Sequence, residues 1–431
     1  MCYSTIKRIA ANIAYAMVLG SCVISSQNAF SQQLILKKGD RVAIVGDSIT
    51  EQKQYSKFME LYLLACVPDL ELTMYQFGWS GERAPGFANR MENDFVGWQA
   101  TVVTTCFGMN DGSYRPYTDA IGKAYENGTR RIQKRCKAMG ARMIVGGPGP
   151  VDTTAWRANE PNADEYYNKN LGRLSEIAAG IAKENGFVYG NLHSQMMKIM
   201  ADAKAGLGKE YPVCGRDGVH PGPNGHLVMA YAYLKAMGLD GNIGTITMDL
   251  NGRATATDGH QVVSSDGATV TIRSTRYPFC FTGKKNDPNG TVSILPYVPF
   301  NEELNRYRLV VENLSTATAD VTWGKSTKMF TRTELETGIN LADEFMNNPF
   351  SASFAALDRV VATKQIRETN TIKRTITNFR ALLNDFPEDE ELANALNVIR
   401  TKLFEQNALD AAKARAAVKP VTHTIKITPK I

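Results

Sequence analysis

The chain has little of several things, and each shortage narrows what it can be. Among 431 residues there are five histidines and seven cysteines, with no Cys-x-x-Cys pair and no metal-like Cys/His spacing. No zinc or iron site is therefore expected. Beyond residue 31 no apolar run approaches the ~20 residues that a membrane span needs, so no transmembrane span is expected. The formal net charge is +6, of which Lys7 and Arg8 supply two, leaving +4 on residues 32–431. There is no basic stripe interleaved with aromatics, so nucleic acid is not an expected partner. Internal repeats and low-complexity linkers are missing too. What remains is an ordinary globular composition, long enough for two or three domains.

The first 31 residues stand apart. Lys7 and Arg8 precede an apolar stretch from Ile9 to Val23, and Ala29-Phe30-Ser31 offers small residues for cleavage. This pattern predicts a secretory signal peptide over residues 1–31 and an exported protein, periplasmic, extracellular or held at the outer membrane. Leu19-Gly20-Ser21-Cys22 also resembles a bacterial lipobox, which would make Cys22 a lipid anchor. Cleavage after Ser31 leaves Cys66, Cys106, Cys136, Cys214 and Cys280, an odd and scattered set that reads as buried thiols.

From Asp40 to Leu239 strand-like and helix-like segments alternate. Arg41–Val45, Leu72–Phe77, Ala100–Phe107, Arg142–Val145 and Phe187–Tyr189 read as strands. Tyr55–Cys66, Ala120–Met139, Glu165–Glu184 and Gly225–Met237 read as helices. The alternation predicts an α/β fold with a mostly parallel sheet between helical layers. Ligands in such folds sit beyond the carboxyl ends of the strands. The pattern changes near Gly241. Residues 245–330 alternate polar and β-branched positions, as in Thr269-Val270-Thr271-Ile272, and predict a small antiparallel β unit. Residues 331–431 turn helical. Leu392, Leu396, Ile399 and Leu403 recur at helical spacing and are expected to pack on the protein itself. Val418–Thr428 alternates like a strand.

Four short segments fit one chemical plan. Ser48, in Gly46-Asp47-Ser48, follows the apolar run Val42–Val45 on a turn opened by glycine. A serine hydroxyl needs a base to act as a nucleophile. Asp217-Gly218-Val219-His220 offers a base, His220, and an acid to orient it, Asp217. The oxyanion of an acyl-transfer intermediate needs donors, and the candidates are the Ser48 and Gly81 backbone N–H groups and the Asn110 amide. Asp47 and Asp111 are expected to fix their loops. His226 is expected to be structural, and His193, His260 and His423 stand in no motif. Trp79, Tyr114 and Trp156 are candidates for a sugar platform or for packing, and Arg83 for contact with a polar substrate.

Gly46-Asp47-Ser48, Ser80-Gly81, Gly108-x-Asn110-Asp111 and Asp217-x-x-His220, in this order, resemble the SGNH or GDSL-type hydrolase superfamily. The resemblance covers residues 38–240. It implies a flavodoxin-like three-layer fold with a five-stranded parallel sheet over a hydrolase domain at 32–244. It also implies Ser48 as nucleophile, His220 as base, Asp217 as third triad member, an oxyanion hole of Ser48, Gly81 and Asn110, and no metal or organic cofactor. The expected activity is hydrolysis of carboxylic esters. A small ester or an acetylated glycan is the expected substrate, and removal of O-acetyl groups from carbohydrate the favoured reaction. The rivals are a lipid-directed carboxylesterase or lysophospholipase, and a non-catalytic glycan-binding protein. Residues 245–431 have no counterpart in the minimal family domain.

Overall fold

The structure, a computed structural model, describes residues 33–430 apart from 158 and 161. Residues 1–31, where a signal peptide is expected, lie outside the described residues, and so does Cys22. Strands β1 (Arg41–Gly46), β2 (Thr73–Gly78), β3 (Val102–Cys106), β4 (Arg142–Gly146) and β5 (Val188–Gly190) form one parallel sheet in the order β2-β1-β3-β4-β5. That is the order of a flavodoxin-like sheet. Its central strands read as near-continuous apolar runs because helices bury both faces. Successive side chains of a strand point to opposite faces. Val42, Ile44, Val102 and Ile144 therefore join one core, while Ala43, Val45, Val103 and Val145 join the other. The first core is covered by helices Tyr55–Ala65 and Pro223–Ala236, the second by Ala84–Asp94, Asp119–Ala138 and Lys169–Glu184. No helix among the described residues is long and apolar enough to cross a membrane.

The C-terminal sheets and helices are also present, arranged more intricately in sequence than the local pattern conveys. A four-stranded sheet has the order β13-β10-β6-β7, with β6 (Asn242–Asp249), β7 (Arg253–Ala256), β10 (Arg306–Glu312) and β13 (Ile339–Asn340). Its central pair, β6 and β10, is parallel, so the region from 245 onward is not purely antiparallel. Alternation reports which side chains are buried and says nothing of strand direction. A second sheet is antiparallel throughout, in the order β12-β11-β14-β9-β8. It contains β8 (His260–Ser265), β9 (Thr269–Ser274), β11 (Thr318–Trp323), β12 (Ser326–Thr331) and, at its centre, β14 (Val421–Lys430).

Helix Ser351–Thr371 lies along the open edge of β2 and against helix Tyr55–Ala65. Its polar side chains satisfy the strand's free backbone groups. Lys364 Nζ donates to the Met74 carbonyl at 2.8 Å, and Glu368 Oε2 accepts the Gln76 N–H at 3.2 Å. Lys364 is buried and paired with both Glu60 (2.9 Å) and Glu368 (2.7 Å). An unpaired sheet edge would otherwise invite another chain. The later helix Glu390–Ala416 turns Leu392, Leu396 and Leu403 toward the core, but Ile399 is 44% exposed.

Candidate active site

The carboxyl ends of β1, β2 and β3 carry three of the four motifs. β1 runs into Asp47, whose carboxylate accepts the Ile49 N–H at 3.0 Å and caps the helical turn Ser48–Glu51. Burial raises the Asp47 carboxyl to about 7, against the lowering pull of that hydrogen bond. Ser48 is thus held at the first position of a helical turn, half-buried, with its hydroxyl turned outward. After β3, Asp111 accepts the N–H groups of Gly108 and Ala84 at 3.0 Å each, stapling the Asn110 loop to the start of helix Ala84–Asp94. Burial raises this carboxyl to about 6. Both aspartates fix their loops.

The fourth motif arrives from far along the chain and meets Ser48. Ser48 Oγ lies 2.9 Å from His220 Nε2, and His220 Nδ1 lies 2.7 Å from Asp217 Oδ2. A carboxylate only accepts, so Nδ1 carries the proton and Nε2 is left to accept from the serine hydroxyl. Asp217 Oδ1 also accepts the backbone N–H groups of Val219 and His220, each at 2.9 Å. Partial burial raises the Asp217 carboxyl, but these bonds outweigh it and hold the group below the ordinary aspartate value. Asp217 stays open to solvent, whereas His220 and Ser48 are half-buried. Gly218 between them has φ +73°, and a Cβ there would come within 2.4 Å of the Asp152 carbonyl and 2.5 Å of the Trp156 nitrogen. Only glycine lets this loop close so near its neighbour.

The candidate oxyanion donors stand on two loops linked to each other. Asn110 Nδ2 donates to the Glu82 carbonyl at 3.1 Å, which leaves its second N–H unspent. The Tyr114 hydroxyl lies 3.4 Å from Asn110 Oδ1, so both ends of the amide are engaged. Gly81 lies in the loop Trp79–Glu82, closed by a hydrogen bond from the Glu82 N–H to the Trp79 carbonyl at 3.0 Å. Among the described residues, neither the Ser48 nor the Gly81 N–H donates to a protein acceptor.

Three aromatic residues weighed from the sequence separate into two groups. The Tyr114 ring stacks on Tyr167 at 5.1 Å and lies 6.2 Å from Trp156. This cluster lies between the Asn110 loop and the Gly218 turn. Ser113 and Tyr114 both hold positive φ, +59° and +54°, an uncommon backbone state that concentrates at functional sites. Trp79 is not a free platform, because Arg90 and Lys373 lie over its ring at 4.6 and 4.9 Å. Arg83 is exposed, and its side chain makes no hydrogen bond among the described residues.

His226 is buried and works through Gln52 and Tyr55. Its Nδ1 accepts the Tyr55 N–H at 3.2 Å, and Nε2 faces Gln52 Oε1 at 2.5 Å. Burial pushes this imidazole down to about 3, so it stays neutral and braces the end of the Ser48–Glu51 turn. Two residues beside the site gave no sequence signal, Glu51 and Lys373. Glu51 is one turn beyond Ser48, and Lys373 is separated from it by most of the chain. Among the described residues there is no group of three or more His, Cys, Asp or Glu arranged to hold a metal ion, and all five described cysteines are free and buried.

Comparison with known proteins extends this picture. The sequence profile of the GDSL-like lipase/acylhydrolase family matches residues 44–228. No curated protein matches the chain by sequence. Among solved structures, a gut microbial diltiazem-metabolizing enzyme is 21% identical with a TM-score of 0.69, over 93% of this chain and 99% of that one. The similarity shows a shared fold across both halves of the molecule. An acetylxylan esterase from Geobacillus stearothermophilus is 19% identical, over 47% of this chain and 96% of that one, with a TM-score of 0.40. An alpha/beta hydrolase enzyme from the metagenome of Lake Arreo, Spain, is 20% identical over 48% and 98%, also at 0.40. Residues 44–228 thus form a GDSL-like lipase/acylhydrolase domain, and the protein is a carboxylic ester hydrolase.

Proposed function

We propose that the protein is an exported serine esterase that removes O-acetyl groups from carbohydrate. The observation that carries the mechanism is the unbroken relay Ser48 Oγ–His220 Nε2 (2.9 Å) and His220 Nδ1–Asp217 Oδ2 (2.7 Å). Ser48 Oγ attacks the ester carbonyl carbon as its proton moves to His220 Nε2. Asp217 holds the imidazole orientation and offsets the charge that forms on it. The N–H groups of Ser48 and Gly81 and the Asn110 amide take the oxyanion, and each such donor is worth ~3–4 kcal/mol in the transition state. The carbon–oxygen bond to the sugar then breaks, and the alcohol leaves with the proton from Nε2. Water, deprotonated by the same nitrogen, attacks the acetyl-enzyme and releases acetate with Ser48 restored.

The carbohydrate reading is supported by Tyr114 and Trp156, half-buried rings beside the triad that pack on the buried Tyr167. They offer apolar ring faces with polar edges, the combination that suits a pyranose, which has both C–H faces and hydroxyl rims. The relay's open side, where Asp217 meets solvent, suits a bulky alcohol.

The test is acetate release from a panel of acetylated oligosaccharides and from p-nitrophenyl esters of increasing chain length. Hydrolysis should be fastest for acetyl, and Ser48→Ala should abolish it while the fold is retained. A rate that peaks beyond ~8 carbons would favour a lipid ester. Retention on a polysaccharide by wild type and variant alike, without cleavage of any ester, would favour a binding role.

A further inference from the structure

The loop that carries Gly81 is not held by the hydrolase core alone. Ser80 donates both its backbone N–H and its hydroxyl to Glu51 Oε2, each at 2.5 Å. Glu51 closes the same helical turn that Ser48 opens. Its other oxygen, Oε1, takes Lys373 Nζ at 2.6 Å. Lys373 also lies over the Trp79 ring, 4.9 Å from its centre. The opposite anchor is Arg90, stacked on Trp79 and paired with Glu82 at 2.7 Å. Glu82 in turn receives the Asn110 amide on its carbonyl.

The loop itself is a β-turn in which Gly81, at the third position, has φ +75°. Glycine is at home there, and its freedom means the turn needs outside support to hold one geometry. Glu51 supplies that support by gripping Ser80, the residue whose peptide bond contains the Gly81 N–H. A half-buried carboxylate that accepts three donors, two from Ser80 and one from Lys373, is best held ionised. Burial raises Glu51, but the hydrogen bonds from Lys373 and Ser80 outweigh it and hold the group below the ordinary glutamate value. Lys373 sits in the π-helical turn Ile372–Ile376, outside the residues that match the family. Such turns recur at functional positions.

We propose that Lys373 is a positioning residue for ester hydrolysis: acting through Glu51, it fixes the Ser80–Gly81 peptide that presents an oxyanion donor beside Ser48. The inference rests on Ser48 as nucleophile and Gly81 as donor. It makes the C-terminal helical segment a working part of the active site.

The test uses the full chain and p-nitrophenyl acetate. Lys373 is partly exposed, so Lys373→Met should fold and melt near wild type. Its kcat should fall about tenfold or more with KM within about twofold, because the lost geometry matters only once the oxyanion forms. Lys373→Arg should restore most of the rate. Glu51→Gln should reproduce the loss, and the double variant should be little worse than either single one. A Lys373→Met enzyme with wild-type kcat overturns the inference. So does a rise in KM alone, or strict additivity with Glu51→Gln. Should Lys373→Met fail to fold, Glu51→Gln decides, and an unchanged kcat there has the same force. Ser48→Ala separates the two levels. Activity surviving in Ser48→Ala breaks the reading of Ser48 as nucleophile on which the inference rests, whereas an inactive Ser48→Ala beside a fully active Lys373→Met breaks only this inference.

Discussion

Two serines in this molecule hold a histidine at hydrogen-bond distance, and they could hardly be placed more differently. Ser48 meets His220 at 2.9 Å at the mouth of the parallel sheet. Ser274 meets His423 at 3.1 Å between the C-terminal sheets and is also 2.8 Å from His260 Nδ1. Around the second pair, Tyr307 lies 3.2 Å from His423 Nε2, and Trp323 Nε1 donates to His423 Nδ1 at 3.1 Å. Ser274, His260 and His423 are all buried. Among the described residues no carboxylate joins that network, and its ring nitrogens are satisfied by neutral partners. The difference teaches that a serine–histidine contact is chemically mute by itself. It becomes a nucleophile where a carboxylate polarises the imidazole, unspent N–H groups stand nearby and substrate can enter. Sealed in a core, the same pair knits two sheets together.

The largest test of this contrast is Ser48→Ala, which should cut turnover by about 10⁵–10⁶-fold with little change in melting temperature. Survival of more than a trace of activity in the purified variant would erase the distinction. The next tests whether polar interior groups outside the site act on stability alone. Lys364→Met leaves Glu60 and Glu368 buried without their cation and should cost about 3–5 kcal/mol of unfolding free energy in urea. A variant as stable as wild type would mean that water reaches this face of β2.

Acid tests the sealed histidine through stability. Burial, with a smaller push from the nearby His260, brings His423 down to about 3. The unfolded chain takes up a proton on this residue below about 6.5, and the folded chain does not. Its contribution to stability is therefore lost as pH falls from 6.5 towards 3. The stability gap between wild type and His423→Asn should narrow by about 2 kcal/mol between pH 7 and pH 5. An unchanged gap would show that His423 is solvated. The smallest expected effect belongs to Ser274→Ala, about 1 kcal/mol of stability with turnover within twofold of wild type. A large loss of activity there would mean that the C-terminal sheets serve catalysis directly.

The same contrast explains what could be read in advance. The parallel sheet was legible because buried strands and amphipathic helices alternate locally, and the order of the motifs pointed to Ser48, Gly81, Asn110, Asp217 and His220. The C-terminal half was legible only in outline. The parallel pairing of β6 with β10 joins segments some sixty residues apart, as Asn242 and Arg306 show, and leaves no local mark. Helix Ser351–Thr371 misleads in a physical way. Lys364, Gln365, Glu368 and Thr369 are buried while Ile366 is 53% exposed. A helix that covers a sheet edge must offer polar groups to unpaired backbone, so its inner face reads as its outer one. His260 and His423 carry no motif because their partnership exists only after two distant strands meet. Lys373 was invisible for the same reason.

The position of β14 has a consequence for how the molecule is made. It fills the centre of the second sheet, between β9, which ends at Ser274, and β11, which ends at Trp323. Until residues 421–430 have been synthesised, each of those strands presents an unpaired edge. A large loop must then be closed before the first rung forms, a step that slows folding. Newly made chains should therefore pass through a stage in which the hydrolase layer can already form while the rear of the molecule is adhesive. Chaperone dependence during biogenesis would follow from the placement of that one strand.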